Sequence, residues 1–65
     1  GIITIQAANS ISTVNIYNMI GNLVMVKNIA NNQSTLDIEN LTNGLYFIQL
    51  NLNDGSSLNS KFIKK

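Results

Sequence analysis

Apolar and polar residues alternate with period two along most of the 65-residue chain. That spacing sends successive side chains to opposite faces of a strand. Ile3 and Ile5 alternate with Thr4 and Gln6, predicting a strand near 2–6. Val14 and Ile16 alternate with Thr13, Asn15 and Tyr17, predicting a second near 12–18. A third, near 22–28, sets Val24 and Val26 on one face and Leu23 and Met25 on the other. The polar stretch 30–34 reads as a loop, followed by a short fourth strand with Leu36 and Ile38 on its apolar face. The fifth, 45–52, is apolar on both sides, with Tyr46, Ile48, Leu50 and Leu52 opposite Leu45 and Phe47. Such a strand belongs in the middle of a sheet. The sixth runs near 57–64 and carries Leu58 and Phe62. No window holds the i, i+3, i+4, i+7 spacing of an amphipathic helix for more than two turns.

The breaks between these segments carry turn chemistry. Gly21, after Ile20, can take the positive φ of a short hairpin loop with a bulge. Asp54-Gly55 suits a type I′ hairpin. Leu41-Thr42-Asn43-Gly44-Leu45-Tyr46 reads as a corner. Gly44 supplies the bend, Leu41 the anchor, and Tyr46 folds its ring inward with its hydroxyl bonded to upstream backbone. The alternative role for Tyr46 is a ligand-stacking aromatic. Six short strands at roughly 8–12-residue spacing predict an all-β antiparallel sandwich or small barrel. Its expected core is Val14, Ile16, Val24, Leu36, Ile38, Tyr46, Ile48, Leu50 and Phe62.

Composition narrows the chemistry. With no Cys and no His, the sequence builds no zinc site, disulfide, or Ser-His-Asp or Cys-His constellation. No nucleophile–base pair can be assembled, so no enzyme activity, catalytic residue, cofactor or small-molecule substrate is expected. A formal net charge of +1 lacks the basic field of a nucleic-acid binder. No apolar run exceeds four residues, which excludes a membrane-spanning helix. The three acids are Asp37, Glu39 and Asp54. The first two share a strand face, but no oxygen-rich loop surrounds them, and a solvated face is the expectation over a calcium or glycosidase pair. Lys61, Lys64 and Lys65 crowd the C-terminus. They read either as protection of an edge strand or as a signal recognised by another protein.

Taken in order, the motifs resemble a known family. Val14-Asn15-Ile16-Tyr17-Asn18-Met19-Ile20-Gly21-Asn22-Leu23-Val24 is followed by Leu36-Asp37-Ile38-Glu39-Asn40-Leu41-Thr42-Asn43-Gly44-Leu45-Tyr46. Asp54-Gly55 and a terminal Lys61-Phe62-Ile63-Lys64-Lys65 complete the set. The series is similar to the type A C-terminal sorting domain of the type IX secretion system of Bacteroidetes. Two departures are the missing Y-P-N-P stretch that usually opens the family and Asn22 where Arg is frequent. The resemblance implies one sorting domain over residues 1–65, folded as a small immunoglobulin-like sandwich of about six to seven strands. It implies a non-catalytic export signal at the C-terminus of a cargo protein. The partners implied are the outer-membrane translocon, a sortase-like peptidase and the cargo domain upstream. The route implied is periplasmic transit, then the outer-membrane surface or release. Lys61, Phe62, Ile63, Lys64 and Lys65 are the expected recognition residues, on a strand edge open to pairing. The alternative is a fibronectin-like spacer or carbohydrate-binding module, since fold alone does not set function.

Overall fold

A computed structural model describes residues 1–65. It is all-β, with no helix. Four strands, β1 (Ile2–Tyr17), β2 (Leu23–Asp37), β3 (Gly44–Leu52) and β4 (Ser57–Lys64), form one antiparallel sheet in the order β2-β1-β3-β4.

The six expected strands thus map onto four. The first two are halves of β1, and the third and fourth are halves of β2. What divides each pair is a bend within a strand. Register between β1 and β2 shifts between Gln6 and Ile11 and again before Thr13. Such irregularities unpair residues locally and turn the strand. They also change the inward parity. Ile5 and Ile11 are buried at odd positions and Val14 and Ile16 at even ones. Ser12 is the extra residue opposite β3, and its hydroxyl donates to Asn51 O at 2.9 Å.

The bends fold the sheet onto itself. β1 pairs with β3 only from Ile11 onward, whereas it pairs with β2 along both halves. In the first half of β1, Ile3 and Ile5 share a groove with Ile48 and Leu50 of β3 and Leu58 and Phe62 of β4. Asn53 N donates to Ser10 O at 2.9 Å and ties the bend to the β3–β4 loop. The molecule measures 32 × 22 × 15 Å, a thickness that suits two sheet layers about 10 Å apart.

Ile5, Ile11, Val14, Ile16, Leu36, Ile38, Tyr46, Ile48, Leu50 and Leu52 form one buried cluster. Two residues of the expected core lie elsewhere. Val24 is 38% exposed, because pairing of Ile16 with Met25 turns Met25 inward and Val24 out. Phe62 is half-buried and packs against the cluster from its rim. Its ring stacks on Tyr46 at a centroid distance of 5.4 Å, across a directly opposed pair.

Both hairpins use the same loop. Gly21 N donates to Asn18 O at 3.0 Å and Asn18 N to Asn22 O at 2.9 Å. At the other hairpin, Gly55 N donates to Leu52 O at 3.1 Å and Leu52 N to Ser56 O at 2.9 Å. Gly21 (φ 88°) and Gly55 (φ 91°) supply the left-handed third position. A type I′ turn at Asp54-Gly55 needs positive φ at both central residues, and Asp54 does not have it. The loop is instead the three-residue form closed by a glycine bulge.

Candidate functional site: the C-terminal strand and its corner

β4 has β3 on one side and no strand on the other. Its free edge leaves backbone donors and acceptors open to pairing. The register sets where each side chain points. Opposite Tyr46, Phe62 faces inward, while Lys61 and Ile63 lie on the outer face beside Phe47 and Leu45. Lys61 is exposed, Ile63 is 65% exposed, and Lys65 lies exposed just beyond the strand.

Lys64 differs from its neighbours. It is half-buried, and its ammonium donates to Leu41 O at 2.5 Å and Glu39 O at 3.2 Å. Both carbonyls belong to the β2–β3 connection, so this lysine ties the last strand to a loop more than twenty residues upstream. Its fork on two carbonyls sets a local structural role beside any role in recognition.

The connection it grips is the corner. Leu41 N donates to Ile38 O at 3.0 Å, and Leu41 packs on the core. Gly44 has φ 151°, and a Cβ placed there would meet nothing within 4 Å. The corner therefore needs glycine for its backbone conformation and has no crowding. Two residues on, Tyr46 is 5% exposed and its hydroxyl donates to Thr42 O at 2.6 Å. Thr42 Oγ1 lies 3.2 Å from the same hydroxyl.

Charge at this end is mixed. Asp37 accepts from Glu39 N at 2.9 Å, capping the turn. Asp54 stands in the β3–β4 loop, where bonds from Ser56 hold its carboxyl below the ordinary value. That loop adjoins the first residues of β4, away from Lys64 and Lys65.

Sequence reasoning missed the apolar surroundings. Met19 and Ile20, 70% and 81% exposed, stand on the β1–β2 loop beside Leu23. They share a shallow groove of about 230 Å³ with Thr42, Asn43, Gly44 and Leu45. Farther along the outer face, Thr13–Asn51 and Asn15–Gln49 form cross-strand hydrogen bonds. The next pair is Tyr17–Phe47, so the face passes from a polar ladder to an apolar end. Two bulky apolar residues in a solvent-facing glycine loop were the available signal.

A family model described as "Secretion system C-terminal sorting domain" matches residues 1–65. The protein belongs to this family. No curated protein and no solved structure matches it. Membership places the sorting domain with secretion signals of the type IX system, borne by cargo proteins that leave the cell. All the features of the corner and of β4 therefore sit within a sorting domain.

Proposed function

We propose that residues 1–65 act as one non-catalytic export signal, which directs the protein bearing it across the outer membrane through the type IX translocon. The family match along the whole sequence carries this reading. The cargo lies upstream, a sortase-like peptidase acts at the junction, and the passage runs from periplasm to surface or medium.

Recognition falls on the end of the sheet that holds Lys61, Phe62, Ile63, Lys64 and Lys65. The free edge of β4 supports it, because a receptor strand can take affinity from backbone pairing and specificity from alternate side chains. Within the five residues the roles divide. Lys61, Ile63 and Lys65 are exposed and available to a receptor. Phe62 and Lys64 hold the strand in place through Tyr46 and the carbonyls of Glu39 and Leu41.

The test is export of a periplasmic passenger fused ahead of the domain in a type IX-competent bacterium. The intact domain is expected to export it. Lys61→Ala with Lys65→Ala is expected to fold normally and leave the passenger in the periplasm. Normal export by that variant removes the lysines from recognition and leaves them as edge protection. Failure of the intact domain beside a working sorting domain refutes the whole reading.

A further inference from the structure

We infer that Asn43 is a site of spontaneous covalent modification, at which the exposed corner converts asparagine to aspartate and isoaspartate. Of the twelve asparagines, only Asn43 precedes glycine. The step is attack by the following residue's backbone nitrogen on the asparagine Cγ. A Cβ on that following residue hinders the approach, and glycine has none. Ser10 and Ser60, the next smallest followers, lie within β1 and β4. Asn43 is exposed in the connection between β2 and β3. The side-chain hydrogen bonds of the corner run from Tyr46 to Thr42 and from Lys64 to Leu41, and neither engages the Asn43 amide.

The chemistry balances with water alone. Gly44 N forms a bond to Asn43 Cγ, and the bond from Cγ to Nδ2 breaks. The departing NH2 takes the proton lost by Gly44 N and leaves as ammonia, giving a succinimide. One water then opens the ring. Cleavage between Cγ and Gly44 N yields aspartate. Cleavage between the Asn43 backbone carbonyl carbon and Gly44 N yields isoaspartate, with the backbone rerouted through Cγ. Either product carries one new negative charge, which cancels the formal net charge of +1.

Asp54-Gly55 is the other pair able to close this ring, and its surroundings oppose it. Asp54 Oδ1 accepts from Ser56 N at 2.9 Å and Ser56 Oγ at 2.6 Å, and Oδ2 from Asn9 Nδ2 at 3.2 Å. Those bonds favour the carboxylate, a poor electrophile. The consequence at residue 43 is structural as well as electrostatic. Gly44 is the first residue of β3 and pairs with Lys64. An extra backbone methylene just before it shifts the strand that Lys64 and Tyr46 both anchor.

The experiment incubates the folded protein in heavy-oxygen water at mildly alkaline pH and maps the label by peptide mass spectrometry. Label is expected at residue 43 ahead of every other position, with isoaspartate among the products, and Asn43→Gln should remove it. Equal labelling at Asn9 or Asn59 overturns the assignment. So does strong suppression at residue 43 in the folded protein relative to the protein in urea, since the fold would then be protecting it. For the consequence, urea midpoints of the aged protein and of Asn43→Asp are compared. A lower midpoint for the aged protein supports backbone displacement, and identical midpoints overturn it.

Discussion

Replacing Tyr46 by Phe removes one oxygen and nothing else from the corner. The ring stays 5% exposed and stacked on Phe62. What is lost is the 2.6 Å hydrogen bond to Thr42 O and the weaker contact with Thr42 Oγ1. A typical intramolecular hydrogen bond contributes about 0.5–1.5 kcal/mol net. Thr42 itself is exposed, so water can satisfy its carbonyl in the variant, and the cost should fall near ~1 kcal/mol rather than at a full desolvation penalty. Stability of roughly 0.05–0.15 kcal/mol per residue gives a protein of this size only about 3–10 kcal/mol in all. A loss of ~1 kcal/mol should lower the melting temperature by about 4–8 °C. Tyr46→Ala also vacates the core and should cost ~3–5 kcal/mol, enough to unfold much of the population. Urea titration followed by circular dichroism measures both. Thr42→Ala serves as a control, since it keeps the accepting carbonyl and should cost less than Tyr46→Phe. If Tyr46→Phe is neutral within ~0.3 kcal/mol, the hydroxyl does not hold the corner and ring packing alone does.

Other outcomes follow from the same geometry. Gly44→Ala should cost about 1–3 kcal/mol in a urea titration through its φ alone, because no atom stands within 4 Å of the added Cβ. Lys64→Met, which keeps the stem but drops the two carbonyl contacts, should lose about 1 kcal/mol, while Lys61→Met and Lys65→Met should be near neutral by the same assay. The bonds from Ser56 lower the folded Asp54 pKa, so their stabilisation is complete above the ordinary value of 3.8 and disappears as pH falls through the lower folded value. Urea midpoints measured across that acid range should fall less steeply for Asp54→Asn than for the parent.

How far the fold was readable depended on whether the signal was local. Alternation in Ile3–Ile5, Val14–Ile16 and Tyr46–Leu52 is a property of neighbouring residues, and it sufficed for an all-β antiparallel fold. The strand count was not readable, because Asn31, Asn32 and Gln33 are polar and lie exposed within β2, where solvent satisfies their side chains on a strand as well as in a loop. Ile11, isolated between two serines, is wholly buried only because an irregularity changes the parity around it. Leu23-Val24-Met25-Val26 is apolar at every position, so its phase was undetermined until Ile16 paired with Met25. The C-terminal lysines were visible as a group, but the difference between Lys64 and the other two arises from carbonyls more than twenty residues away. No local pattern encodes such a contact.

The strand order also gives the domain a direction of mechanical weakness. β4 is held along one side only, and its pairing with β3 ends at Gly44–Lys64, next to Lys65. A pull on Lys65 therefore loads these hydrogen bonds one after another, as in unzipping, and leaves β1 paired with both β2 and β3. A pull on Gly1 begins the same way, peeling the first half of β1 from β2. From Ile11 onward the strand is gripped on both sides, and traction must shear two ladders together. Drawn by its tail, the domain gives up a single strand at low force; drawn by its head, it yields the first half of β1 and then resists at Ile11.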